Sequence, residues 1–255
     1  MKNVFNNEVI YITGATAGIG FASAELLLKK GATVVITGRN NKNLKSAQKK
    51  LLKLSSNVIA HNIDVSKESE IVESLQDAYT SCGRIDGLVN NAPSIHVGKI
   101  VDLDLAAWKT NFKANLDAVF LATKTVLPWM INAKKGSIVN VASVVGLKGV
   151  EYMSAYGAAK AGLINFSRAT AIESAPHVRV NCIIPGAVDT PATKRAIPDA
   201  KIMNATIKTI PLKRIAKPIE IARPIAFLLS SDASFVTGAS LIVDGGKTAD
   251  LNAGN

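Results

Sequence analysis

Cysteine and histidine are scarce in this 255-residue chain, and their placement argues against two chemistries at once. Cys82 and Cys182 stand far apart, as do His61, His96 and His177, and no spacing among them suits a metal site or a disulfide framework. No metal is expected, and both thiols read as buried packing residues. Long apolar runs are missing too. No stretch of about 18 uncharged apolar residues occurs, and residues 1–8 lack the apolar segment of a secretion signal. A cytoplasmic protein without a membrane span is the expectation. Acidic residues are outnumbered nineteen to thirty, which leaves a formal net charge of +11. That surplus suits nucleic acid, an acidic partner or a merely solvated surface. Aromatics make up only 5% and are not interleaved with the cations, so a base-stacking nucleic-acid groove is not expected.

What is present is a rhythm. Short runs rich in β-branched residues recur at 9–12, 33–36, 58–60, 87–89, 137–141, 179–184 and 241–243. Longer segments between them carry apolar residues near helical spacing, such as Ala22, Leu26 and Leu27, then Ile71 and Leu75, then Leu116, Val119, Phe120 and Leu127. Strand and helix signals in alternation predict an α/β fold: a doubly wound parallel sheet of about seven strands, with helices on both faces. Without a linker or repeat, residues 1–255 read as one domain. The rhythm breaks at residues 191–218, a Lys- and Thr-rich segment punctuated by Pro198 and Pro211, which reads as a loop or helical lid.

The first strand runs into Thr13-Gly14-Ala15-Thr16-Ala17-Gly18-Ile19-Gly20, and a helical pattern follows directly. Gly14 suits the tight turn, Gly18 a close approach of backbone to a pyrophosphate, and Gly20 close packing of the helix. The helix start would offer unpaired N–H groups to the anion. A Rossmann-like nucleotide-binding fold is the implied context, and an ordinary glycine-rich turn is the competing reading. Near the end of the second strand, where an NAD site would place a carboxylate against the ribose hydroxyls, stand Gly38 and Arg39. A guanidinium there suits the extra 2′-phosphate of NADP, so NADP(H) is preferred and NAD(H) is the alternative. A solvent-facing arginine is the bland reading of Arg39.

Tyr156 and Lys160 lie four residues apart, on one face of a predicted helix. A phenol ordinarily titrates near 10, so acid/base work at neutral pH calls for nearby positive charge, which Lys160 would supply. Ser143 follows the strand at 137–141 and is placed to polarise a substrate oxygen as charge develops. Asn115 would anchor a water that passes protons to Lys160, although a mid-chain asparagine is commonly a cap or turn residue.

Taken together these motifs resemble the short-chain dehydrogenase/reductase family over residues 4–246. The turn from Thr13 to Gly20 resembles its cofactor loop. Asp64 and Val65 resemble its adenine-contact pair, and Asn90, Asn91 and Ala92 its motif after the fourth strand. Asn115, Ser143, Tyr156 and Lys160 match its four catalytic positions, and the stretch carrying Pro185, Gly186, Val188 and Thr190 resembles the segment that seats the nicotinamide carboxamide. The resemblance implies hydride transfer between nicotinamide and a ketone or secondary alcohol. Tyr156 would give the proton, Ser143 orient the carbonyl, Lys160 bind the ribose and lower the tyrosine pKa, and Asn115 support a proton relay. It also implies a homotetramer or homodimer built on helices near 115–131 and 154–174 and the strand near Leu241.

Pro93 departs from the glycine usual after Asn-Asn-Ala and leaves the local turn open. Tyr152 is a rival for the acid, but four residues beyond it stands Tyr156 rather than a lysine. A substrate pocket is expected among residues 94–97, 145–152 and 191–211. The substrate alternatives are a small-molecule carbonyl or alcohol and an acyl-carrier-protein β-ketoester. The carrier's usual basic helix position is Ile172 here, leaving Lys134 and Lys135 as neighbours. A nucleotide-binding protein without turnover is the remaining alternative.

Overall fold

The computed structural model describes residues 4–197 and 199–250, so Pro198 lies outside the described residues. Its centre is a sheet of seven parallel strands in the order β3-β2-β1-β4-β5-β6-β7. The strands are β1 (Val9–Ile12), β2 (Thr33–Thr37), β3 (Val58–His61), β4 (Gly87–Asn90), β5 (Gly136–Val141), β6 (Val178–Pro185) and β7 (Ser240–Val243). Each matches a β-branched run to within a few residues. Crossing between them are α1 (Gly18–Lys29), α2 (Asn41–Leu51), α3 (Glu68–Cys82), α4 (Leu105–Phe112), α5 (Ala118–Asn132) and α6 (Ser154–Ser174). After β6 come α7 (Pro191–Ala196), α8 (Ala200–Lys208) and α9 (Pro218–Leu229).

Alternation along the strands divides the core into two layers. Ile10 and Ile12 of β1 pack with Leu27, Ile36, Val89 and Ile225 on one face, while Tyr11 points to the other, among Val35, Leu75, Leu88 and Met130. A register slip of one residue would exchange these sets. Each fully buried Leu or Ile contributes about 1.5–3 kcal/mol, so the two layers dominate the stability. Local signals set the helix ends. The Asn40 side chain caps α2 by accepting from Asn43 N at 2.9 Å, and Gly83, at φ 71°, ends α3 in the left-handed region.

Strand order reverses between β1 and β4, and both hand their following segments to the same carboxyl edge. That switch point opens a crevice where doubly wound sheets take ligands. The segment expected as a loop or lid holds α7 and α8, and its base is pinned where Asp189 N donates to Ala216 O (2.8 Å) and Ala216 N to Ala187 O (2.9 Å). Among the described residues no helix is long and apolar enough to cross a membrane. Cys182 is buried as expected, whereas Cys82 is only half-buried at the end of α3.

Candidate functional site

A cleft of about 820 Å³ lies along the carboxyl edge of the sheet, from the glycine turn across β4 and β5 to α7. Gly14 has φ 64° and Gly18 φ 57°, the left-handed backbone that glycine adopts without strain. A Cβ on Gly14 would fall 2.7 Å from Ala92 Cα, and one on Gly18 would fall 2.9 Å from the Thr190 methyl. These glycines let the β1, β4 and β6 edges converge. The Thr13 hydroxyl fastens the convergence, accepting from Asn91 N (2.8 Å) and Ala92 N (3.1 Å). Asn91 answers by donating through Nδ2 to Thr13 O (2.9 Å) and Gly14 O (3.0 Å). Gly20 does not line the cleft; a Cβ there would stand 2.6 Å from Asn91 Nδ2 and 2.7 Å from Gly14 O. Its role is to let the first turn of α1 close on this junction. At that turn Ala17 caps α1 without a side-chain acceptor, which leaves the N–H groups facing the cleft available to an anion.

At the β2 end the cleft wall is basic. Gly38, Arg39 and Lys50 line it together with Asp64, Val65 and Ser66. A Cβ on Gly38 would sit 2.3 Å from Thr16 Cγ2, so any side chain there requires the Thr16 methyl to move. Burial works to raise the Asp64 carboxyl, but hydrogen bonds from Ser66 N and Oγ outweigh it, and Arg39 and Lys67 add attraction. The carboxyl is held below the ordinary aspartate range.

Ser143, Tyr156 and Lys160 meet at the other end, in the same cleft. Ser143 directly precedes a short 3-10 turn (Val144–Gly146), and its Oγ accepts from Val145 N at 3.2 Å. Tyr156 and Lys160 come from the first turns of α6, both buried, with the ammonium 5.8 Å from the phenol ring centroid. Lys160 Nζ donates to Val141 O at 2.8 Å. Burial governs both groups. It pushes the Tyr156 phenol up to about 12 against a lowering hydrogen bond with Ser143, and pushes the Lys160 ammonium down to about 8, partly offset by Cys182. Asn115 stands outside the cleft lining, in a π-helical turn (Lys113–Asp117) joining α4 to α5. Its Nδ2 donates to Ser94 O (2.6 Å) and Asn111 O (2.8 Å), and its buried Oδ1 has no protein partner. A water-sized cavity of about 10 Å³ adjoins Lys160, Ala114 and Ala118 in the same region.

Of the remaining residues singled out in the sequence, Thr16, Ile19, Ala92, Pro185, Gly186, Val188 and Thr190 all line the cleft. The expected substrate pocket coincides with the cleft lining in part. Pro93, Ser94 and Ile95 line the cleft, as do Pro191, Ala192, Thr193 and Arg195, but residues 145–152 do not. Tyr152 is 45% exposed with φ 67° and stands beside Glu151, and Gly98 N donates to its carbonyl oxygen at 2.9 Å. Sequence reading placed Thr13 in the glycine turn but not the role of its hydroxyl, and it missed Asn111. Asn111 Oδ1 accepts from His96 N (3.2 Å) and its Nδ2 donates to His96 O (3.1 Å), so it pins the loop that carries Ile95. Its position four residues before Asn115 was the available signal; nothing in the sequence marked the Thr13 hydroxyl's partners.

The residues present fit an elongated dinucleotide. Glycine backbone and free N–H groups stand at the middle, cations at one end, and a hydroxyl, phenol and ammonium at the other. A family model described as Enoyl-(Acyl carrier protein) reductase matches residues 14–248. A 3-oxoacyl-(acyl-carrier-protein) reductase of Chlamydia muridarum is 38% identical over 248 residues, 96% of this chain and 99% of that protein. The 2-(S)-hydroxypropyl-CoM dehydrogenase 3 of Xanthobacter autotrophicus is 37% identical over 254 residues, 98% and 100% of the two chains. Among solved structures, levodione reductase superposes with a TM-score of 0.93 at 32% identity, covering 97% of this chain and all of that one.

Proposed function

Since the chain belongs to the short-chain dehydrogenase/reductase family, and so to oxidoreductases of alcohols and carbonyls, we propose that it is an NADP(H)-dependent reductase of small neutral ketones. The observation that carries this reading is the meeting of Ser143, Tyr156 and Lys160 at one end of a cleft whose other end holds Arg39 and Lys50 and whose middle is the glycine turn.

The nicotinamide, when bound, supplies the hydride in reduction and accepts it in oxidation. The chain's own residues handle the oxygen and the proton. Ser143 Oγ donates to the carbonyl oxygen and orients it. A phenol held near 12 stays protonated at neutral pH, the form that reduction needs, yet is far more acidic than the alcohol being formed. Tyr156 therefore gives its proton to the oxygen as negative charge gathers there. Lys160, a cation at neutral pH, stabilises the phenolate left behind and stands ready to return a proton. Asn115 Oδ1 is the acceptor for a water in that return path.

Arg39 carries the NADP(H) preference. Its guanidinium suits a 2′-phosphate, and Gly38 offers no ribose-binding carboxylate at its own position. Neutral substrates are favoured over a carrier-bound ester on two observations. Ile172, 80% exposed, replaces a basic residue on α6, and Lys135 is engaged with Glu8 at 2.7 Å. Identity to the Chlamydia reductase keeps the acyl-carrier ester as the second reading. Exposed Phe120, Ile172, Leu241 and Ile242 on α5, α6 and β7 supply apolar surface for the expected dimer or tetramer.

A panel of cyclic and linear ketones together with a β-ketoacyl thioester, assayed for oxidation of NADPH and NADH, tests the reading. Turnover of neutral ketones with NADPH is expected. NADPH binding with no turnover of any substrate would favour the non-catalytic alternative, and preferential use of NADH would overturn the role given to Arg39.

A further inference from the structure

Between Glu25 and Asp64 the chain holds eight cations, Lys29, Lys30, Arg39, Lys42, Lys45, Lys49, Lys50 and Lys53, and no acidic residue. Most of them sit on or beside α2. That helix buries Leu44, Ala47 and Leu51 against the sheet, and turns Asn43, Ser46 and Lys50, at i, i+3 and i+7, toward the cleft. A second stripe runs one position over, through Lys42, Lys45, Lys49 and Lys53, all exposed. None of these four takes part in an ion pair among the described residues, although six pairs form elsewhere. Helix stability does not explain the stripe. Lys49 suits the last turn, but Lys42 and Lys45 stand in the N-terminal half, where the helix dipole disfavours cations and no acidic residue offsets them.

We propose that this lysine stripe is an electrostatic entrance that captures the phosphate-bearing end of the cofactor and delivers it to Arg39 and Lys50. The proposal rests on the NADP(H) reading above and adds to it residues that touch nothing in the final complex. The stripe adjoins the cleft-lining row at Lys50, and its charge, unpaired among the described residues, attracts a ligand with two phosphate centres. Such a field raises association rates while leaving dissociation nearly untouched, and salt removes it over a Debye length of about 8–10 Å near physiological ionic strength. NADPH, which bears the extra 2′-phosphate, gains more than NADH.

The test is stopped-flow binding of NADPH, followed by nicotinamide fluorescence over a range of ionic strength. Parent protein is compared with the fourfold variant Lys42→Gln, Lys45→Gln, Lys49→Gln, Lys53→Gln and with the single reversal Lys45→Glu. All positions are exposed, and glutamine and glutamate are good helix formers, so folding is retained, which circular dichroism checks. At low salt the association rate of the fourfold variant falls by about tenfold and that of Lys45→Glu by a smaller factor. Dissociation rates stay within about twofold, the salt dependence flattens, and NADH is slowed less than NADPH. Association rates and salt slopes equal to the parent's would overturn the entrance while leaving the cofactor reading intact. Failure of the parent to bind NADPH at equilibrium would overturn both.

Discussion

Replacing Gly20 by alanine sets two effects of opposite sign against each other. Gly20 lies inside α1, where alanine is favoured over glycine by about 1 kcal/mol, so helix propensity alone predicts a more stable protein. The added methyl group, however, lands 2.6 Å from Asn91 Nδ2, 2.7 Å from Gly14 O and 3.0 Å from Ala15 Cα. Two of those neighbours are backbone and cannot swing aside. Overpacking of this kind costs about 1–3 kcal/mol. Displacing Asn91 also forfeits its bonds to Thr13 O and Gly14 O, at about 1 kcal/mol each. Steric loss wins, for a net destabilisation of about 2–4 kcal/mol and a thermal midpoint lower by roughly 5–15 °C. Because the junction also shapes the glycine turn, NADPH affinity falls with it. Thermal melts read by circular dichroism, paired with a fluorescence titration of NADPH, check both outcomes. A Gly20→Ala protein as stable as the parent, with unchanged affinity, would refute the claim that this contact holds the turn.

Arg39→Ala should raise the KM for NADPH by about 10- to 100-fold, the worth of one or two charge-assisted bonds, and leave that for NADH nearly unchanged; steady-state kinetics with both cofactors decide it. Removing the Ser143 hydroxyl by Ser143→Ala should lower kcat by about 100- to 1,000-fold at nearly constant cofactor affinity, read in single turnovers with bound NADPH. The buried Lys160 gives a stability prediction. Unfolded, its ammonium keeps a proton up to its ordinary value, and folded only up to about 8. Below pH 8 both states hold the proton and the fold bears the burial cost. Above it only the unfolded chain does, so this group makes stability climb as pH rises from about 8 toward 10.5, by on the order of 3 kcal/mol. Urea melts of parent and Lys160→Met across that range should diverge in this sense, and parallel pH profiles would contradict it.

Much of the fold was legible because its signals are local. Seven β-branched runs became seven strands, and a β-strand's alternation alone separates Ile10 and Ile12 from Tyr11. The glycine turn was legible for the same reason. Contacts that depend on chain approach were not. Nothing near Thr13 announces that its hydroxyl will receive two N–H groups from a strand some 78 residues away. Gly20 was read as a packing glycine, but its partner, Asn91, emerged only with the fold. Residues 145–152 were expected at the pocket, but they stand outside the cleft lining, and the Gly98–Tyr152 bond that ties their end to the segment after β4 joins residues 54 positions apart. The acid/base pair shows the same division. Spacing brought Tyr156 and Lys160 together, while the direction of each pKa was set by burial, which no spacing encodes.

The most direct measurement is the rate of a single hydride transfer from bound NADPH to ketone in Tyr156→Phe. That variant keeps the ring and loses only the hydroxyl. The expected result is a fall of about 100- to 10,000-fold with the NADPH dissociation constant within about threefold of the parent's. A variant that transfers hydride at close to the parent rate would mean that the proton comes from elsewhere and that the phenol is not the acid.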